Sequence, residues 1–359
     1  MPKITIILPT YNGQQYIRES VESIINQTFK DWELIIVNDC STDDTGSIIS
    51  EYEKSDARIK ILNNAVNKKL PGSLNVGFKQ ATGEYLTWTS DDNMYLPDAL
   101  KIMNEYLDRN PQQIMVRARY SVINESEEII YDADEYDQDI AYVRNCVGAC
   151  FLYRKEVIEK IGLYNENKFL IEDYDYWLRI IFRYGEIGHI SDILYLYRTH
   201  ECSLTSTREQ DVRRMLLKLR KEYIEEIVHH LSHRKDLLCE LYYDFKMGGV
   251  LETKEANLLI SYVPELKIDC GVIETKESIV YGAGGYGQSA YEKYAPIITY
   301  YADKDKFGNY LFDKEIISVD EMKRLKQQYQ ILIAASPHNI YSFLCTLIEN
   351  GIDKCTVLV

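Results

Sequence analysis

The chain has 359 residues, 46% hydrophobic and 27% charged, with a formal net charge of −15. That is the balance of a globular protein large enough for two or three domains. The acidic surplus excludes non-specific nucleic-acid binding, which needs a basic surface. The eight cysteines, Cys202 among them, are scattered without a Cys-x-x-Cys pair. This argues against a zinc or disulfide framework and for a reducing, cytoplasmic setting. No run of about 18 apolar residues occurs, so no membrane span is expected and any membrane association is peripheral. The N-terminus enters a strand at once, so no signal peptide is expected.

In chain order, "KITIILP" (3–9) reads as a buried strand. "QYIRESVESIINQ" (15–27) reads as a helix with Ile17, Val21, Ile24 and Ile25 on one face. "WELIIVND" (32–39) is a second strand, and "STDDTGSIISEYEK" (41–54) a helix opened by a capping-type Ser-Thr-Asp. A strand over 58–64, a short helix over 72–81 and a strand over 83–90 follow. Strand–helix alternation means right-handed βαβ units and a parallel sheet, which binds ligands beyond the carboxyl ends of its strands. Thr10-Tyr11-Asn12, Asn38-Asp39 and Ser90-Asp91-Asp92 all fall there. Residues 97–200 are more mixed. A helix near 97–109 leads to two alternating strands, and an acidic loop covers 132–139. Strand, turn and helix follow over 147–162, then an acidic-headed helix within 169–185 and a strand over 190–200. From 207 to about 265 the pattern is helical, and a third segment starts near 276 with "SIVYGAGGYGQSAYEKY". The expected domains are therefore 1–206, a helical connector 207–275, and 276–359.

Two adjacent acids at a strand end repel unless water or a cation lies between them. Asp91 and Asp92 read either as the start of the next turn or as ligands for a hard divalent cation and a sugar hydroxyl. Asp39 reads as a helix cap or, because Ser41 and Thr42 already supply one, as a ligand contact. Pro9-Thr10-Tyr11-Asn12-Gly13 is a turn sequence that serves equally as a binding loop. Glu172, Asp173 and Asp175 either favour the dipole of the helix they open or supply a general base. His200 reads as a packing residue unless it meets a metal.

Three stretches together resemble glycosyltransferase family 2 over residues 3–200. They are "TIILPTYNG" with the run to "WELIIVNDCSTDDT", then "ATGEYLTWTSDDNMYLPDAL", then "VGACFLYRKEVIEKIG" with "FLIEDYDYWLRI" and "YRTH". The resemblance implies an α/β GT-A fold and an inverting transfer from a nucleotide-diphosphate sugar, UDP-linked by family habit. It implies that Pro9, Thr10, Tyr11, Asp39 and Asn75 line the base and ribose, and that Asp91 approaches ribose or sugar. Asp92 and His200 would hold manganese or magnesium. Asp173, with Glu172 beside it, would be the catalytic base, and Gly148 and Trp177 would mark the acceptor region. Ser90 replaces the first acid of the family's Asp-x-Asp pattern, and the Gln-x-x-Arg-Trp signature of processive synthases does not follow Asp173. The expectation is a hexosyl- or N-acetylhexosaminyl-transferase that adds single sugars to a glycan or lipid-linked acceptor in surface polysaccharide synthesis. It would work in the cytoplasm or at the inner face of the membrane. The alternative from another class is a non-catalytic nucleotide-sugar-binding scaffold.

The C-terminal segment carries Gly282-x-Gly284-x-x-Gly287 after a strand and before a helix, with Asp303 at a later strand end. Glycines for a tight turn and an acid for a ribose are the dinucleotide-binding arrangement. With only 84 residues remaining and no Tyr-x-x-x-Lys pair, this segment reads as a second nucleotide site or as a Rossmann-like domain used for packing.

Overall fold

The computed structural model describes residues 1–133, 137–201, 203 and 207–358. Cys202 and the centre of the acidic 132–139 stretch lie outside them. The chain divides into two compact units, Met1–Leu216 and Leu217–Val359.

The first unit is built on one mixed sheet. Strands β1 (Ile4–Thr10), β2 (Trp32–Asn38), β3 (Ile59–Asn63) and β4 (Tyr85–Trp88) run parallel in the order β3-β2-β1-β4. Helices α1 (Ile17–Ile25), α2 (Thr45–Ser55) and α3 (Lys69–Phe78) connect them. Every residue of β1 and β2 is buried, as expected of central strands covered on both faces, and this is why they read as unbroken apolar runs. Beyond β4 come β5 (Met94–Tyr95), α4 (Ala99–Arg109), β6 (Met115–Ile123), β7 (Ile129–Asp132), α5 (Gln138–Ala141), β8 (Phe151–Arg154), α6 (Glu156–Ile161), α7 (Glu172–Tyr184) and β9 (Gly188–Arg198). They extend the sheet as β4-β8-β6-β9-β5, with β8 antiparallel to both neighbours and β7 paired to β6. Ile4, Ile6, Leu8, Ile17, Val21 and Ile24 join Leu100, Met103 and Leu152 in one core.

Register sets up the crevice. Thr10 pairs with Asn38, and Asn38 with Asn63. The loops after β1, β2 and β3 therefore leave the sheet at one level, the level where ligands bind in such folds.

Several boundaries differ from the sequence expectation. α2 starts at Thr45, because Asp43 accepts from Gln14 N at 3.2 Å and Thr45 N at 3.1 Å and so ties two loops together. α3 starts at Lys69, three residues before the expected Gly72, with Pro71 in its first turn, where a missing N–H costs no helical bond. β5 is not visible as a periodicity in the sequence. It exists through its partner β9, where Met94 faces Leu196.

In the second unit, β10 (Ser278–Tyr281), β11 (Ile298–Ala302), β12 (Tyr310–Leu311), β13 (Lys314–Ile317), β14 (Gln330–Ile333) and β15 (Thr356–Val357) form a second sheet in the order β12-β13-β11-β10-β14-β15. All pairs are parallel except β12 with β13. Helices Lys235–Met247 and Thr253–Tyr262 belong to the same unit. Asp269 ties helix to strand: it accepts from Lys246 Nζ at 2.7 Å, Tyr243 OH at 3.0 Å and Val357 N at 3.2 Å. Gly287 backs onto the strand end so closely that a Cβ there would lie 2.1 Å from the Gly282 carbonyl oxygen. Gly287→Ala is expected to cost the unit about 1–3 kcal/mol, the range for overpacking, measured as the shift in its urea unfolding curve.

Candidate active site

The loop after β1 is stitched to the loop after β2. Asn12, in the left-handed region at φ 57°, accepts from Thr42 N at 2.8 Å, and its own N–H donates to Ser41 Oγ at 3.0 Å. Asp39 is buried, and its Oδ1 accepts from Asn64 Nδ2 at 2.7 Å and Lys68 N at 2.8 Å. Pro9 lies within β1 opposite Val37 and Thr10 ends the strand, while Tyr11 is 54% exposed and leaves its ring open to a ligand. Asn75 is committed to the protein: its amide exchanges two hydrogen bonds with the Tyr164 backbone, at 2.9 and 3.0 Å, and gives a third to Glu166 at 3.1 Å.

The two acids after β4 have different partners. Asp91 accepts from the Thr10 hydroxyl, and burial first, then the charge of Asp92, pushes its carboxyl up to about 7. Asp92 Oδ2 lies 3.1 Å from His200 Nε2, and this hydrogen bond raises the imidazole's proton affinity. Asp92 Oδ1 is buried with no hydrogen-bond partner among the described residues, which is costly unless something positive binds there. A hard carboxylate with one oxygen unpartnered among the described residues, beside an imidazole, is a donor set that fits a divalent cation such as magnesium or manganese. No cluster of three or more His, Cys, Asp or Glu ligands occurs among the described residues, so further ligands would come from the donor and water.

Arg198, absent from the sequence-level site, holds this corner. It is 1% exposed. It donates to the Asp92 carbonyl at 3.1 Å, to the Glu125 carbonyl at 3.3 Å and to Glu19, and its N–H reaches Asn93 Oδ1 at 2.8 Å. Its guanidinium lies 4.6 Å from the centre of the Tyr16 ring, which in turn lies 5.3 Å from the His200 ring. Its position two residues before His200 is the one sequence signal that could have found it.

The start of α7 carries the second group of candidate residues. Asp173 Oδ2 accepts from Asn145 Nδ2 at 2.7 Å, and Oδ1 from Tyr174 N at 2.7 Å. Burial raises the Asp173 carboxyl above its ordinary range. Glu172 is 4% exposed, with Oε2 lacking a hydrogen-bond partner among the described residues. Burial first, and then the Asp173 charge, push it up to about 8. Burial and mutual repulsion thus disfavour a double negative charge on the pair. Asp175 is structural, since it pairs with Arg179 at 2.9 Å, and Arg179 also holds the carbonyls of Ile161 and Leu163. Gly148 has φ +80°, and a Cβ there would lie 2.4 Å from the Tyr120 ring. Trp177 is buried, with its ring edge-on to Phe151 at 4.5 Å.

Glu172 gives a stability prediction. Between pH 4.5 and about 8 the folded chain keeps a proton that the unfolded chain releases. Glu172 therefore makes stability fall as pH rises through that window, by up to about 1.4 kcal/mol per pH unit. Glu172→Gln is expected to remove that slope relative to the parent in urea unfolding at pH 5, 6.5 and 8.

In the second unit, Gly284 has open space where its Cβ would be. Asp303, however, accepts from Ala283 N at 3.0 Å and from the amides of Asp305 and Lys306 at 3.0 and 3.2 Å. Lys306 Nζ takes the Ala283 carbonyl at 3.1 Å. The acid at the ribose position of the motif is engaged with its own loop.

Residues 5–162 match the family model described as glycosyl transferase family 2. That stretch is a glycosyl transferase family 2 domain. An uncharacterized glycosyltransferase of Haemophilus influenzae is 29% identical over 272 residues, covering 70% of this chain and 84% of its own. The Escherichia coli UDP-Glc:alpha-D-GlcNAc-diphosphoundecaprenol beta-1,3-glucosyltransferase WfgD is 29% identical over 219 residues, 59% of this chain and 83% of its own. The crystal structure of S. aureus TarS 1-349 with UDP-GlcNAc superposes with a TM-score of 0.54 at 21% identity, covering 72% of this chain and 79% of that one. This glycosyltransferase thus has the GT-A fold expected of it. α7 and His200 lie beyond the residues that the family model matches.

Proposed function

We propose that this glycosyltransferase moves one sugar at a time, with inversion, from a uridine-diphosphate hexose or N-acetylhexosamine to a hydroxyl of a glycan or lipid-linked acceptor in surface polysaccharide synthesis. The observation that carries the reading is the Asp92–His200 pair, 3.1 Å apart, with a buried carboxylate oxygen that lacks a hydrogen-bond partner among the described residues. Thr10, Tyr11 and Asp39 bind base and ribose, and Asn75 supports them from beneath through segment 164–166. Asp91, backed by Thr10, faces ribose or sugar. Asp92 and His200 hold magnesium or manganese. Such an ion, when bound, neutralises the departing diphosphate. Asp173 takes the proton of the attacking hydroxyl, and Glu172 stays neutral beside it. Attack from the face opposite the diphosphate inverts the anomeric carbon in one displacement.

Two features support single additions to a lipid-linked acceptor at the inner face of the membrane. The processive signature is absent after Asp173. No helix of the described residues is long and apolar enough to cross a membrane. The relative WfgD, by its name, takes UDP-Glc and a diphosphoundecaprenol acceptor. For the glycine loop of the second unit, the Asp303 and Lys306 contacts favour packing over nucleotide binding. The test is a panel of nucleotide sugars with manganese and then with EDTA. Turnover of one donor that chelation abolishes is expected, and turnover unaffected by EDTA would overturn the metal assignment.

A further inference from the structure

Asn145 lies on the segment between α5 and β8, three residues before Gly148, in neither a strand nor a helix. We propose that Asn145 is a positioning residue for transfer: its side-chain amide aims the Asp173 carboxylate at the acceptor hydroxyl and keeps it in its ionised form. The inference rests on Asp173 being the base.

The geometry is specific. Asn145 Nδ2 donates to Asp173 Oδ2 at 2.7 Å, while Tyr174 N donates to Oδ1 at 2.7 Å. The two donors hold one oxygen each, and together they fix the plane of the carboxylate. The segment that carries the amide is itself held. Arg117, 1% exposed, donates to the Val147 carbonyl at 3.0 Å, and Cys146 Sγ lies 3.7 Å from the Asp137 carbonyl. The Tyr120 ring fills the space where Gly148 would carry a side chain. The amide therefore sits on a braced turn.

The electrostatics explain why a base placed here needs such a donor. Burial disfavours the Asp173 anion, whereas the Asn145 hydrogen bond favours it. Among the described groups whose charge is coupled to that of Asp173 are Glu172 on the same turn, Tyr120 from β6 and Tyr164 from the segment after α6, all of them acids. A neutral amide favours the anion without competing for the proton.

The experiment compares the parent chain with Asn145→Ala, Asn145→Asp, Asn145→Gln and Asp173→Asn. Asn145 is exposed, so its truncation opens no core, and UDP binding by calorimetry checks the fold of each variant. The titration of the Asp173 carboxyl is followed by 13C NMR in aspartate-labelled protein and assigned by its loss in Asp173→Asn. Hydrolysis of UDP-glucose and UDP-N-acetylglucosamine, with water in place of the acceptor hydroxyl, is measured against pH. Asn145→Ala is expected to move the Asp173 midpoint upward and, with it, the acid limb of kcat. At neutral pH kcat should fall about ten- to a hundredfold, within the range that base catalysis spans, while KM for the donor stays put. Asn145→Asp should move the midpoint further up through like charge, and Asn145→Gln should restore part of the shift. An unmoved midpoint in both Ala and Asp variants overturns the proposal, as does a loss of kcat with an unmoved acid limb. Full activity of Asp173→Asn would instead overturn the assignment of the base, which the NMR titration would leave standing as a separate result.

Discussion

Asp173→Asn is expected to lower the rate of sugar transfer about 10²- to 10⁴-fold, the span of a general base, while UDP binding stays within twofold of the parent. An amide has the shape of the carboxylate but cannot accept the hydroxyl proton. The substitution is close to isosteric, and Tyr174 N, now 2.7 Å from Oδ1, keeps an oxygen to donate to. The fold is therefore spared. Glu172 does not take over, because it is 4% exposed and burial disfavours its anion. The donor contacts proposed at Thr10, Tyr11 and Asp39 lie on other segments, so binding and turnover are expected to separate. Radiolabelled transfer at saturating donor, paired with UDP calorimetry, makes the measurement. Loss of both together would mean a collapsed site, and loss of neither would remove Asp173 from the chemistry.

The second large effect belongs to Asp92. Asp92→Ala is expected to abolish manganese-stimulated turnover, on the order of a thousandfold for the loss of several kcal/mol of charge stabilisation, and to leave a residual rate that EDTA does not change. The loop itself should survive. Arg198 grips Asp92 through its main-chain carbonyl at 3.1 Å, a contact alanine retains, and the neighbouring Asn93 side chain still receives Arg198 N at 2.8 Å. His200→Ala removes one ligand of the pair and is expected to weaken manganese binding by less than Asp92→Ala does. Titrating manganese against each variant, read by electron paramagnetic resonance of the free ion, measures binding without relying on turnover. Equal manganese affinity in the parent and in Asp92→Ala would sink the assignment.

The parallel half of the sheet was legible because both faces of β1 and β2 are covered, which forces an unbroken apolar run that composition cannot hide. The acids at the strand ends stand out because they follow such runs directly, but the structure gives Asp39 a bracing role as well, through Asn64 and Lys68. What stayed hidden was partnership. Asp175 and Asp173 look alike in sequence, yet one is neutralised four residues away by Arg179 and the other faces Asn145, 28 positions back. Asn75 looks like a ligand contact until Tyr164 and Glu166 occupy its amide from about 90 residues away. Arg198 acts through residues more than 70 positions distant, and no local pattern carries such information. β5 is two residues long and is defined only by β9.

The Asn75 contact bears on how the molecule comes into being. Its buried amide and the Trp88 indole, 2.9 Å from the Tyr164 hydroxyl, find their partners only when segment 164–166 arrives. During synthesis, the first hundred residues therefore wait, with polar groups unanswered, for segment 164–166. The two segments are not interchangeable cassettes. A recombinant that grafts another sequence onto these first hundred residues inherits a buried amide addressed to the Tyr164 backbone and an indole N–H addressed to the Tyr164 hydroxyl, and it must supply both partners.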